Sequence, residues 1–271
     1  MESAEEDVGF VRVEIVEMRT DAYEGMVAEV ITIPGHSGDP THAYFARPLG
    51  EGPFPGMVLM HHFFGFNAWY KAQTRRFAHN GYLAICPDLY CGMGHGEPDD
   101  MFALARAQGG PPDDEAVADA AASAAFLGDQ ESWNGKSGVW GSCSGGRHSY
   151  LAACRTDAFA AVGDMWGGGI VASPEELTDR RPVAPIEYTA DLSCPLLGIF
   201  GNDDQNPSRD QVDTLEAELK RHDKEYEFHR YDGAGHGFFY DNLPVYYRAE
   251  QAVDGWTKVW DFFGRHLGKG S

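Results

Sequence analysis

Positive charge is scarce in this chain of 271 residues: 21 lysines and arginines stand against 42 aspartates and glutamates, a formal net charge of −21. With a pI near 4.7, the chain lacks the basic footprint that phosphate backbones and anionic lipid surfaces require, so no nucleic-acid partner and no membrane partner are expected. A neutral or apolar small molecule suits it better, and most of the acidity reads as solvated surface. Cysteine is equally sparse. Cys86, Cys91, Cys143, Cys154 and Cys194 are odd in number and show no repeated C-x-x-C spacing, which argues against a disulfide framework and against a zinc site and leaves reduced thiols in a cytoplasmic protein as the expectation. Nowhere do about eighteen apolar residues run together, and the opening "MESAEEDVGF" is acidic where a secretion signal starts basic and turns apolar, so neither a membrane span nor a secretion signal is expected. Internal repeats and low-complexity linkers are also missing.

What is present is a globular composition, 43% apolar and 13% aromatic, able to bury a sizeable core. One domain over residues 1–271 is the expectation, because α/β folds reach this length around a single core. The first fifty residues alternate apolar and polar positions, as in "GMVAEVITI" and "THAYFARPL", the period of half-buried antiparallel strands. From Pro55 the rhythm changes: "GMVLMHH" and "GYLAICPDLY" are short apolar runs suited to strands buried on both faces, and "NAWYKAQTRRFAHNG" between them has helical spacing and stops at a glycine. The alternation continues with "DDEAVADAAASAAFLGD" as helix, "SGVWG" as strand, a helix after "GSCSGG", and "FAAVGDMWG" as strand. Beyond an irregular stretch from Gly167 to Ser193 come "CPLLGIFG" as strand, "SRDQVDTLEAELKRHD" as helix, "YEFHRYDG" as strand and "RAEQAVDGWTKVWDFFGRHLG" as the last helix. Such alternation predicts a mostly parallel sheet with helices on both faces and an antiparallel edge built from the first strands.

Parallel α/β sheets carry their sites at the carboxyl ends of strands, and "GSCSGG" at residues 141–146 stands at one. Gly141-x-Cys143-x-Gly145 has the spacing of a nucleophile elbow, a strand-to-helix turn so tight that only small neighbours avoid a clash. The start of the following helix supplies unpaired N–H groups and positive dipole that favour a thiolate, which makes Cys143 a candidate nucleophile. Ser144 is the rival, but choosing it places serine where the turn most wants glycine. The order of nucleophile, acid and histidine usual on this architecture is available: "GIFGNDDQNPS" offers Asp203 and Asp204 after a strand, and "YDGAGHGFF" offers His236 between glycines after the last. Either aspartate could instead cap the helix beginning near Ser208.

The stretches "FFGFN", "CPDLY", "GSCSGG", "FGNDD" and "GAGHGF", in that order over about two hundred residues from Met57, resemble the dienelactone hydrolase family, carboxymethylenebutenolidase-like members of the α/β-hydrolase superfamily. The resemblance implies the α/β-hydrolase fold, Cys143 as nucleophile, His236 as base and Asp204 as acid, and the N–H groups of Phe63 and Ser144 as an oxyanion hole. It also implies an acyl-enzyme thioester on the way to hydrolysis of an ester or lactone, without metal or organic cofactor. "HH" at 61 and 62 suggests no metal site, since successive strand residues point to opposite faces.

Three departures bear on substrate. A glutamate that interacts with the resting cysteine in the family's dienelactone-cleaving members is His62 here, and two arginines that clamp the substrate carboxylate there are Gly92 and Tyr240 here. The expected activity is therefore a related ester or lactone hydrolysis on a different substrate. His62, Trp166, Tyr240 and Arg147 are the candidate substrate-binding residues, Arg147 as a replacement positive charge or else a helix-surface arginine. Phe63, Phe64, Trp69, Tyr90, Trp166, Phe238 and Tyr240 are candidates for an aromatic pocket or for core, and the acidic "GHGEPDD" loop for a lid or plain surface. The alternatives are a serine esterase using Ser144, a non-catalytic ligand-binding protein on a hydrolase fold, or cleavage of a thioester or carbon–carbon bond by the same three residues.

Overall fold

The computed structural model describes residues 25–94, 96 and 98–268; the N-terminal segment read above for a secretion signal, and His95 and Glu97 of the acidic loop, lie outside the described residues. Among these residues eight strands form one sheet: β1 (Met26–Pro34), β2 (Pro40–Pro48), β3 (Phe54–Met60), β4 (Leu83–Pro87), β5 (Trp133–Ser142), β6 (Ala161–Met165), β7 (Leu196–Gly201) and β8 (Tyr226–Tyr231), in the spatial order β1-β2-β4-β3-β5-β6-β7-β8. β1 with β2 and β2 with β4 run antiparallel, and every other neighbouring pair runs parallel. The predicted antiparallel edge and parallel body are both there. The half-buried alternation of β2 and the wholly buried run of β3 mark the same boundary that the sequence pattern marks near Pro55.

Among the described residues, six α-helices accompany the sheet: α1 (Ala68–His79), α2 (Pro98–Gln108), α3 (Asp113–Gly128), α4 (Ser144–Arg155), α5 (Arg209–Arg221) and α6 (Ala249–Leu267). Successive β3 side chains go to opposite faces: Val58 and Met60 join a core with residues of α3, α4 and α5, while Met57 and Leu59 join a second core with residues of α1 and α6. α6 shows why it belongs there. Trp256, Val259, Phe263 and Leu267 recur at helical spacing and are all buried, and burial of each such side chain contributes roughly 1.5–3 kcal/mol. Local signals end the helices where they should: Asn67 caps α1 by accepting from the N–H groups of Trp69 and Tyr70, and Ser208 with Gln211 forms a capping box at α5.

One helix escapes the sequence pattern. Residues 98–108, of which the sequence pattern above puts 98–100 in an acidic loop and gives 101–108 no element, form α2, with glycines in the left-handed region near both ends, Gly94 at φ 139° and Gly109 and Gly110 at φ 82° and 85°. The irregular stretch after β6 holds only short 3-10 turns at Pro174–Glu176 and Pro185–Asp191. Among the described residues, no helix is long and apolar enough to cross a membrane.

Candidate active site

β5 ends at Ser142, α4 starts at Ser144, and Cys143 between them has φ 57° and ψ −126°. A non-glycine residue held there is strained, and the surroundings enforce it. A Cβ on Gly145 would overlap the Met60 carbonyl and one on Gly141 would overlap the Gly145 carbonyl, so strand and helix approach as closely as they do only because both positions are glycine. The Cys143 N–H donates to the Met165 carbonyl, at the end of the neighbouring strand β6, at 2.9 Å. The strained residue is Cys143 and not Ser144, which opens α4 with one of its unpaired first-turn N–H groups.

Behind the bend lies a buried hydroxyl chain. Ser142 Oγ is 2.8 Å from Tyr70 Oη and 3.1 Å from Tyr240 Oη, and the Ser142 N–H donates to Tyr70 Oη at 3.0 Å.

His236 follows β8 in its glycine-rich loop, and its Nδ1 is 2.8 Å from Asp204 Oδ2. Asp204 is itself buried, and its Oδ1 accepts from the Asn206 N–H at 2.9 Å. Asp203, the other aspartate of "NDD", is exposed and lies 3.9 Å from Arg209, so the geometry gives His236 to Asp204. Burial pulls the His236 imidazole down, but hydrogen bonding to Asp204 and to Cys143, helped by the charge of both, overcomes it and pushes the imidazole up to about 10.

Cys143, Ser144, Asp204 and His236 share a cavity of about 540 Å³, walled by Phe63, Phe64 and Phe102, floored by Gly168, Gln205 and Asn206, and bearing two cations, Arg106 and Arg181. Phe63 sits in the turn after β3, where the Gly65 N–H donates to the His62 carbonyl at 2.9 Å. The Phe63 carbonyl accepts from Tyr90 Oη at 2.7 Å. Tyr90, from "CPDLY", therefore fixes the peptide on which Phe63 is presented.

The four candidate substrate-binding residues take other places, and none lines this cavity. Trp166 is fully buried, its ring against Phe238, Phe239 and Tyr240. Tyr240 is buried beneath Ser142. His62 stacks on Trp69 with ring centroids 5.7 Å apart, and its Nε2 is 2.9 Å from Asn67 Nδ2; burial and then the charge of His61 push it down to about 3, against the Asn67 hydrogen bond, so it is neutral. Arg147 is neither on the surface nor at the cavity. It is buried in a bidentate pair with Asp113, Nη1 to Oδ1 at 2.5 Å and Nη2 to Oδ2 at 2.9 Å, while its Nε donates to the Gly169 carbonyl at 3.2 Å. Of the seven aromatics expected at a pocket or in the core, Phe63 and Phe64 line the cavity, and Trp69, Tyr90, Trp166, Phe238 and Tyr240 are core. Among the described residues, no group of three or more His, Cys, Asp or Glu is placed to hold a metal ion.

Sequence reasoning missed Phe102, Arg106 and Arg181. Phe102 and Arg106 lie four apart on α2, a spacing that places both on one helix face, and that period was the available signal. Arg181 lies in an irregular segment that carries none.

The profile of the Dienelactone hydrolase family matches residues 41–267. The chain is 33% identical over 255 residues to a protein of Methylorubrum extorquens named "Putative carboxymethylenebutenolidase", covering 91% of this chain and 84% of that one. It is 31% identical over 260 residues to a protein of the same name from Escherichia coli, covering 92% and 90%. Among solved structures, one titled as a "Putative Dienelactone Hydrolase" from Klebsiella pneumoniae superposes with a TM-score of 0.80 at 28% identity, covering 89% of this chain and 99% of that one.

Proposed function

This chain belongs to the dienelactone hydrolase family, and on that footing we propose that it hydrolyses a carboxylic ester or lactone through an acyl-thioester on Cys143. The observation that carries the reading is a strained cysteine at the mouth of a helix, sharing one cavity with a histidine whose far nitrogen is held by a buried carboxylate. The Cys143 thiolate attacks the carbonyl carbon, and the oxyanion that forms is received by the N–H groups of Phe63 and Ser144. As the tetrahedral centre collapses, the carbon–oxygen bond to the leaving group breaks and the departing alkoxide takes a proton from His236. Water then attacks the thioester while His236 accepts its proton, the carbon–sulfur bond breaks, and the carboxylic acid leaves with the thiolate restored. Asp204 keeps the imidazole in one tautomer and orientation throughout.

The glycine requirement at 141 and 145 favours Cys143 over Ser144 as nucleophile. Intact-mass analysis after a slow acyl donor, on wild type, Cys143→Ala and Ser144→Ala, tests the assignment: an acyl adduct on wild type and Ser144→Ala but not on Cys143→Ala is expected. An adduct persisting in Cys143→Ala, or turnover of 4-nitrophenyl esters by that variant at the wild-type rate, would overturn it.

A further inference from the structure

The two histidines that follow β3 send their rings to different places. His62 stacks on Trp69, whereas His61 lies edge-to-face with Tyr90, ring centroids 4.8 Å apart. His61 is 1% exposed and does not line the cavity. Both of its ring nitrogens are engaged. Leu89, just past the end of the neighbouring strand β4, donates its N–H to His61 Nε2 at 3.0 Å, and His61 Nδ1 is 2.9 Å from the His62 carbonyl oxygen. A backbone N–H only donates and a carbonyl only accepts, so Nε2 is bare and Nδ1 carries the hydrogen. The imidazole is held in one neutral tautomer.

That hydrogen holds the peptide on which the oxyanion donor sits. The His62 carbonyl and the Phe63 N–H belong to one planar trans unit, in which the two bonds point in opposite directions. Fixing the carbonyl therefore aims the N–H. The same carbonyl accepts from the Gly65 N–H at 2.9 Å, with Gly65 in the left-handed region at φ 84°, so the turn is also closed from within. The next peptide is tied by Tyr90 Oη, which donates to the Phe63 carbonyl at 2.7 Å, while the Tyr90 N–H donates to Asp88 Oδ1 at 3.1 Å. Residues 88–90 thus brace both peptides that flank Phe63, one directly through Tyr90 and the other through the His61 ring. A carbonyl that receives hydrogen bonds also polarises its peptide, which strengthens the N–H at the other end.

We propose that His61 is a positioning residue for the oxyanion hole: as the Nδ1–H tautomer it relays the Leu89 amide to the His62 carbonyl, and so directs the Phe63 N–H at the oxygen of the tetrahedral intermediate. The proposal rests on the hydrolase reading above. His61 touches no reacting atom, and its effect passes through one peptide plane.

The test compares three variants of the full chain. His61→Asn places a side-chain N–H near the position of Nδ1–H; His61→Gln is closer to histidine in size but carries its amide out toward the position of Nε2; His61→Ala removes both. In hydrolysis of 4-nitrophenyl acetate, His61→Ala and His61→Gln should lower kcat and kcat/KM together, on the order of ten- to a hundredfold with KM unchanged, the mark of an interaction made only in the transition state. His61→Asn should recover most of the loss. A role in packing alone would rank His61→Gln above His61→Asn; that order, or a kcat unchanged in His61→Ala, overturns the proposal. If His61→Ala does not fold, the comparison of His61→Asn with His61→Gln decides. Heteronuclear NMR reads the arrangement without turnover: His61 should carry its proton on Nδ1, and the Phe63 amide signal should shift in His61→Gln and stay near its wild-type position in His61→Asn. A proton on Nε2 overturns the proposal. If wild type cleaves no ester while these NMR results hold, the hydrolase reading fails and the placement of the Phe63 N–H by His61 stands.

Discussion

Replacing Asp164 by asparagine should shift stability in the variant's favour as pH rises, making it the more stable protein at alkaline pH. Asp164 stands on β6 with no exposed surface; its Oδ1 accepts from the Gly167 N–H at 2.7 Å and its Oδ2 has no partner. Gly146 and Gly167 press against it so closely that neither has room for a Cβ. Burial pushes the carboxyl up from 3.8 to about 7, opposed by the Gly167 hydrogen bond. Because the folded value lies above the unfolded one, the native state holds a proton that the unfolded chain has lost, and stability falls as pH rises from about 4 through about 7. The full penalty, reached above about pH 8, is roughly 4 kcal/mol, and about 2 kcal/mol of it is already present at pH 5.5. Asparagine keeps the acceptor for Gly167 and cannot ionise. Its new buried N–H group costs about 1–3 kcal/mol at every pH, which lowers the gain without changing its slope. The advantage of Asp164→Asn over wild type should therefore grow by about 2 kcal/mol between pH 5.5 and 8.5. Urea unfolding followed by tryptophan fluorescence at several pH values measures it, since groups common to both proteins cancel in the difference. A stability difference that is flat across that range, or that shrinks, would refute the reasoning.

Two further outcomes follow from particular contacts. Tyr90→Phe removes the hydroxyl that holds the Phe63 carbonyl; steady-state ester hydrolysis should show kcat reduced by about tenfold with KM little changed, less than the hundredfold or more expected when an oxyanion donor itself is removed. Arg147→Met leaves the buried Asp113 carboxylate without its bidentate partner, and chemical denaturation should show a loss of about 3–5 kcal/mol, largely recovered when Asp113→Asn is added.

The alternation of strand and helix was legible because it rests on local periodicity. "GMVLMHH" and "GYLAICPDLY" carry β3 and β4, and the helical run after "GSCSGG" is α4. The same period was present in "DDMFALARAQ" of α2, but its acidic flank reads more strongly as loop. Side-chain direction at strand ends was not legible. Trp166 and Phe63 both follow strands, yet Trp166 turns into the core at φ 43° while Phe63 lines the cavity. Nor does the spacing of Arg147 from Cys143 say that Asp113, from the start of another helix, will take up its guanidinium.

What the sequence by itself determined is local: glycines at 141 and 145 around a bend that tolerates nothing larger, and the pair Asp203 and Asp204 and then His236 in loops that leave parallel strands, with the choice between the two aspartates left open. Tertiary structure decided which charged groups meet. Arg147 is neutralised and Arg181 is not, because packing sets both oxygens of the Asp113 carboxylate against the Arg147 guanidinium and leaves Nε and Nη2 of Arg181 buried without a partner. Pairing of that kind depends on distances between chain segments far apart in sequence, and no local pattern encodes it.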